Sequence, residues 1–145
     1  MKKSPAILIQ VIKFLLILLW VYVSTTKLLE FDHFKIQMQI QTLPGWLSHS
    51  LVYVLPATEL SAAALLFFRK TFIVGLFLSL ILMILFTGYI GLVLCNYFGR
   101  IPCSCGGVLS SFNWKSHLLF NIFFLLLTSC GLYIVYRERR VGQLD

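Results

Sequence analysis

The sequence predicts an all-α integral membrane protein: an up-down bundle of four transmembrane helices with both termini in the cytoplasm. Of its 145 residues, 59% are hydrophobic and only 12% are charged, which is far more apolar than a soluble domain. The apolar residues form four charge-poor runs, each close to the roughly 20 residues that a helix needs to cross the hydrocarbon core of a bilayer. Lys and Arg flank these runs unevenly, which indicates the orientation.

The four runs define the membrane elements. They cover residues 5–25, 46–68, 71–94 and 116–136, and only Lys13 and Glu59 carry charge inside them. Lys13 lies near one end of its run, where its long side chain can reach the interface. The chain is short enough for one domain, so we expect residues 1–145 to form a single membrane unit.

Basic residues outside the runs indicate which side faces the cytoplasm. Seven lie on the side of the two termini and four lie on the other side, and the richer side is expected to be cytoplasmic in a bacterial inner membrane. The net charge of +7 then reflects topology, and no basic, aromatic-interleaved motif points to nucleic acid. The seven are Lys2, Lys3, Arg69, Lys70, Arg137, Arg139 and Arg140; the four are Lys27, Lys35, Arg100 and Lys115.

The first outer connection, residues 30–41, alternates apolar and polar residues as a strand would. An isolated strand leaves its backbone edges unpaired at a membrane surface, which disfavours that interpretation. We expect a short interfacial helix instead, with Phe31, Phe34 and Met38 directed toward lipid.

The second outer connection, residues 95–113, contains the residues best suited to chemistry. Cys103 and Cys105 form a Cys-Ser-Cys, and Cys95 lies at the outer mouth of the third helix. Disulfides persist in the oxidising space outside the inner membrane. A disulfide that spans one residue is strained and therefore easily reduced, and Arg100 would favour the reactive thiolate. The pattern indicates a redox-active loop facing the periplasm.

Two other interpretations of these cysteines stay open. Cys95 could form a permanent disulfide with one of the pair, or all the thiols could stay reduced. Cys95, Cys103, Cys105 and His117 could also supply a tetrahedral zinc site, but a lone Cys-x-Cys lacks the paired knuckles of structural zinc sites. We therefore predict no metal.

Three polar residues inside the runs are further candidates. His117 and Asn121 are four residues apart on one helix face. His117 could exchange protons with the cysteine sulfurs, and Asn121 could orient it or bond a quinone carbonyl; polar packing between helices is the alternative for both. Glu59 lies about 20 Å along its helix, where a carboxyl group is expected to face the bundle interior as a proton relay or to bond a hydroxyl such as that of Thr87. Cys130, deep in the fourth helix, is expected to be an inert core thiol.

Three segments carry a resemblance to a known family. They are Ser24-Thr-Thr-Lys-Leu-Leu-Glu-Phe-Asp32, Leu55-Pro-Ala-Thr-Glu59, and Pro102-Cys-Ser-Cys-Gly-Gly107 followed by Trp114 and His117. Together they resemble the MauE branch of the DoxX-like membrane proteins. The resemblance implies a redox-associated inner-membrane protein that assists maturation of a disulfide-rich dehydrogenase beside a thioredoxin-like partner. Similarity in architecture to other four-helix redox proteins, such as vitamin K epoxide reductase, makes quinone a candidate electron carrier.

The leading hypothesis is thus a membrane thiol-disulfide oxidoreductase that passes electrons between a periplasmic thioredoxin-fold protein and a membrane carrier. The alternative is a non-catalytic subunit or assembly factor of a larger membrane oxidoreductase complex, in which the cysteines only form a structural disulfide that holds the loop. The candidate catalytic residues are Cys103, Cys105, Cys95 and His117, and the auxiliary residues are Glu59, Asn121 and Arg100.

Overall fold

The computed structural model describes residues 3–40, 43–95 and 114–142. Within these ranges every regular element is an α-helix. The helices are α1 (Lys3–Leu29), α2 (Phe31–Ile40), α3 (Gly45–Phe67), α4 (Phe72–Leu94) and α5 (Trp114–Gly142).

Four of these helices are long and apolar enough to cross a membrane, namely α1, α3, α4 and α5. This confirms the four spans predicted from the charge-poor runs. Helix α1 continues past residue 25, where its apolar run was expected to end, and reaches Leu29. Lys27 therefore lies inside the helix, and its assignment to the outer flank is wrong.

The four long helices pack in a closed ring. Helix α1 packs against α3, α3 against α4, α4 against α5, and α5 against α1. Two contacts show that neighbours run in opposite directions: Lys13 Nζ of α1 donates to the backbone oxygen of Phe67 at the end of α3, and Gly131 late in α5 lies beside Ile12. We call this end of the bundle the Lys13 end, and the opposite end, where α4 finishes, the Cys95 end.

The half of the bundle near the Lys13 end is closely packed. A Cβ atom placed on Gly75 of α4 would lie 2.7 Å from the backbone nitrogen of Leu66 in α3. A Cβ atom on Gly131 would lie 3.1 Å from the side chain of Ile12. Small residues allow helix backbones to approach in this way, and the resulting van der Waals packing contributes to helix association in lipid.

Helix α2 turns its apolar side to the protein and away from lipid. Phe34 and Met38 are 3% and 2% exposed and pack with Val52 of α3, so the expectation that they face lipid is wrong. Ile36 and Ile40 point outward instead. Phe34 and Met38 are four residues apart and share one helix face, which α3 covers.

Cys130 also differs from expectation. It lies in the middle of α5 but its side chain is exposed on the bundle surface. The prediction of a core thiol is wrong because depth along a membrane helix does not tell whether a residue faces lipid or a neighbouring helix.

Candidate functional site

A pair of opposite charges lies inside the bundle. The ammonium group of Lys27 on α1 contacts carboxylate oxygen Oε1 of Glu59 on α3. The two side chains are 6% and 0% exposed. Charges at this depth are costly unless they are paired, so their burial marks them as a functional candidate.

The direction of the two helices makes this contact geometrically accessible. The contact between Lys13 and Phe67 gives α1 and α3 a common starting height. With a rise of 1.5 Å per residue along each helix, the Cα atom of Lys27 then lies about 9 Å further from the Lys13 end than the Cα atom of Glu59. Side chains on an α-helix tilt toward its N-terminus. Because α1 and α3 are antiparallel, Lys27 and Glu59 tilt toward each other and bridge the difference.

Aromatic rings surround the cation. Lys27 Nζ lies 5.5 Å from the ring centroid of Phe34 on α2 and 5.5 Å from that of Phe86 on α4. Such cation–π contacts strengthen when water is excluded. Trp20 of α1 packs against Phe86 and donates from Nε1 to Ser79 Oγ at 2.9 Å. Side chains from α1, α2, α3 and α4 therefore hold the ion pair.

Two further polar residues lie near the same height. His117 of α5 is half-buried. The number of residues between His117 and Gly131 equals the number between Lys13 and Lys27. His117 and Lys27 therefore both lie about 21 Å from the Lys13 end of the bundle. Thr87 of α4 follows Phe86 directly, and its hydroxyl oxygen is buried. We call Lys27, Glu59, Thr87 and His117 the interior polar ring, with one residue from each membrane helix.

The burial of Glu59 is confirmed, but its expected partner is not. Within the described residues Thr87 Oγ1 has no hydrogen-bond partner, and neither has Glu59 Oε2. The hydrogen bond between Glu59 and Thr87 expected from the sequence is absent, because the carboxylate of Glu59 pairs with the ammonium group of Lys27 instead. Asn121, one turn from His117 on α5, is buried at 5% exposure.

Cys95 caps the C-terminal end of α4, and its thiol is exposed and free of any disulfide to the described part of the chain. It lies nine residues beyond Phe86, or roughly 13 Å further toward the end of the bundle. Cys103, Cys105 and Arg100 lie outside the described residues, as do two of the four ligands of the zinc alternative. The segment that contains them begins after α4 and ends before α5, and both helices meet it at the Cys95 end.

Comparison with known families assigns the chain. The model of the family described as methylamine utilisation protein MauE matches residues 5–134. The chain belongs to the MauE family. The resemblance predicted from the sequence is thereby confirmed. No curated protein and no solved structure matches the chain.

The matched range of this MauE-family chain includes both partners of the ion pair. Lys27 lies in one of the segments that carry the resemblance, and Glu59 lies in another. From the sequence, Lys27 was expected outside the first span, and its contact with Glu59 was not predicted. The signal was available: a carboxylate buried in a membrane span requires a partner, and Lys27 lies two residues after the first apolar run.

Proposed function

We propose that this MauE-family chain is a membrane redox protein that performs thiol-disulfide exchange at the Cys95 end of its bundle. Cys103 and Cys105 exchange with a thioredoxin-fold protein, and the electrons pass to or from a membrane carrier of the quinone class. The observation that supports this proposal is the exposed thiol of Cys95 at the end of α4. The segment with the two other cysteines is attached at that same end.

Charge placement supports a periplasmic location for the Cys95 end. Lys27 is buried in the ion pair, so it no longer counts among the four basic residues of the outer flank. Removing it leaves Lys35, Arg100 and Lys115 there against seven on the opposite side. The asymmetry therefore grows from seven against four to seven against three, and it favours both termini inside.

The proposed exchange follows ordinary thiol chemistry. The thiolate of Cys103 or Cys105 attacks one sulfur of the partner's disulfide, that bond breaks, and the released sulfur leaves as a thiolate that takes up a proton. A second cysteine, Cys95 or the other member of the pair, then attacks the mixed disulfide and releases the reduced partner. Two electrons and two protons have moved to the partner. A quinol then reduces the new disulfide and becomes a quinone; run in reverse, the same steps oxidise the partner's dithiol and reduce a quinone to a quinol.

His117 is the proton partner in this scheme. It lies at the end of the first turn of α5, which starts at Trp114 directly after the cysteine-containing segment. An imidazole changes charge near neutral pH and can therefore take a proton from an attacking thiol and return it to a leaving thiolate.

Trapping of mixed disulfides in cells tests the proposal. Cys103→Ser and Cys105→Ser variants are quenched in acid, alkylated and separated on non-reducing gels. We expect one of them to accumulate a covalent adduct with a protein that mass spectrometry identifies as having a thioredoxin fold. Cys130→Ser is the matched control because it removes a thiol that faces out from the middle of α5; it should trap nothing.

The rival function gives a different result. A non-catalytic subunit or assembly factor keeps its cysteines in one redox state. If neither serine variant traps a thioredoxin-fold partner and the alkylation pattern of Cys95, Cys103 and Cys105 stays constant under reducing and oxidising growth, the exchange proposal is wrong.

A further inference from the structure

The two halves of the bundle differ in how tightly they are packed. Near the Lys13 end, Gly75 and Gly131 let neighbouring helices approach so closely that a Cβ atom would meet other atoms at 2.7 and 3.1 Å. Gly91 lies on α4 near the Cys95 end and is half-buried. Apart from its chain neighbours and the adjacent backbone of α4 itself, no described atom lies within 4 Å of the Cβ position of Gly91. Among the described residues, the neighbouring helices therefore leave this position on α4 uncovered.

The buried polar atoms show the same difference. In the half near the Lys13 end, Ser79 Oγ accepts from Trp20, and Thr128 Oγ1 donates to the backbone oxygen of Phe124. At the interior polar ring, Glu59 Oε2 and Thr87 Oγ1 have no hydrogen-bond partner within the described residues. Buried polar atoms in proteins nearly always bond to protein or ordered water, and water enters where the space is polar and large enough.

We infer that the interior polar ring is a hydrated proton-exchange site that is open to the aqueous phase at the Cys95 end and closed toward the Lys13 end. Water donates to Glu59 Oε2 and bonds the hydroxyl of Thr87, and the space beside Gly91 leads it in. Thr87 and Gly91 are four residues apart, so they share one face of α4. Met83, one turn further toward the Lys13 end, is 3% exposed in the apolar core.

The groups around Glu59 indicate that the site exchanges protons. Lys27 from α1 is the charged group that contacts Glu59, and α2 and α4 present the rings of Phe34 and Phe86 to the ammonium group of Lys27. His117 is the titratable residue of α5 near the height of Lys27. A proton delivered by water neutralises the carboxylate of Glu59, and its release restores the ion pair with Lys27. This step is only the protonation and deprotonation of a carboxylate, without oxidation or reduction. The inference therefore does not depend on the thiol-disulfide exchange proposed above.

Cysteine accessibility along one face of α4 tests the hydrated path. In a background in which Cys95, Cys103, Cys105 and Cys130 are serine, Met83, Thr87 and Gly91 are each changed to cysteine. Leu85→Cys is the matched control, because Leu85 lies at the same depth but is 62% exposed to the lipid side. Each variant is treated in sealed membranes with a charged, membrane-impermeant methanethiosulfonate.

A thiol reacts as its thiolate, which forms in water and is suppressed in apolar surroundings, so we expect Gly91→Cys and Thr87→Cys to react about tenfold faster than Leu85→Cys. Met83→Cys should react as slowly as the control. The Gly91 substitution fits the space that is present, so it remains informative if the Thr87 variant misfolds. Equal rates for Gly91→Cys and Leu85→Cys show a dry interior, and rapid reaction of Met83→Cys shows that the path is not closed; either result overturns the inference.

Carbodiimide labelling tests the proton exchange itself. A carbodiimide modifies a carboxyl group in its protonated form, so the Glu59 peptide should gain mass and the yield should rise as the pH falls. Glu59→Gln should lose that modification while peptides with Glu30 and Glu138 keep theirs. If the Glu59 peptide is unmodified at every pH, the site does not exchange protons. All four native thiols are absent from this background, so failure here is distinct from failure of the exchange proposal.

Discussion

Lys27 and Glu59 form an ion pair inside the bundle although they belong to different segments, one at the end of α1 and one in the second half of α3. The contact fixes how these two antiparallel helices are placed along each other. A shift of α3 by one turn, about 5.4 Å, would separate the charges and leave both buried without a partner. The pair therefore stabilises one arrangement of α1 and α3 over its neighbours.

Removing one charge of this pair should be far more harmful than removing both. We expect Lys27→Met and Glu59→Gln each to lower the free energy of unfolding by about 3 kcal/mol, because the remaining partner stays buried and uncompensated. The double variant should recover at least half of the combined loss. Unfolding of the purified protein in mixed micelles measures all four members of the cycle.

The cycle also has a clear contrary outcome. If the losses of the two single variants simply add in the double variant, the two side chains do not interact, and the ion pair contributes nothing to stability. Lys13→Met is the control for removing a lysine from α1, since Lys13 is bonded to a backbone oxygen at the surface of the bundle.

The number of membrane helices could be predicted from the sequence because length and apolarity alone decide it. Which face of each helix packs against its neighbours could not be predicted from the sequence. Lys27 was assigned to the flank and Cys130 to the core, although Lys27 is buried and Cys130 is exposed. Lipid chains are as apolar as a protein core, so hydrophobicity does not distinguish a residue that faces lipid from one that faces a neighbouring helix.

The same argument explains why the site was only partly predicted. Burial of Glu59 followed from its position in a charge-poor run, and its depth was estimated from helix geometry. A buried carboxylate requires a partner and Lys27 is a nearby cation, but the sequence has no local signal that α1 packs against α3, which is what brings the two together. The predicted roles of Cys103, Cys105 and Arg100 fall outside the described residues and stay predictions.

Helix α2 gives a direct test of its observed orientation. Phe34→Ala should destabilise the protein by about 3 kcal/mol, because it removes a buried ring and one of the aromatic faces against Lys27. Ile36→Ala should cost less than 1 kcal/mol, since Ile36 is 55% exposed and exposed positions contribute little. Thermal unfolding in detergent compares the two. Equal costs would mean that Phe34 does not pack against the bundle.

Close helix contact at Gly75 should make this position intolerant of any side chain. A Cβ atom there would meet Leu66 N at 2.7 Å, so Gly75→Ala should destabilise the bundle by about 1–3 kcal/mol through overpacking. Gly91→Ala is the matched control on the same helix, because its Cβ position is open. The melting temperature should fall for the first variant and stay within error for the second. A neutral Gly75→Ala would show that α3 and α4 are further apart than the structure places them.

The hydrogen bond between Trp20 and Ser79 should contribute to the attachment of α1 to α4. Ser79 is fully buried and its hydroxyl accepts from Trp20 Nε1 at 2.9 Å, so Ser79→Ala leaves that donor without a partner. We expect a loss of about 1 kcal/mol, which is typical of hydrogen bonds between helices in membranes. Ser129→Ala is the control: this hydroxyl is exposed and bonds only to its own helix, at the backbone oxygen of Leu125. The decisive measurement is the difference in unfolding free energy between these two variants, and a difference of zero would mean that the bond between α1 and α4 adds nothing beyond the apolar packing around it.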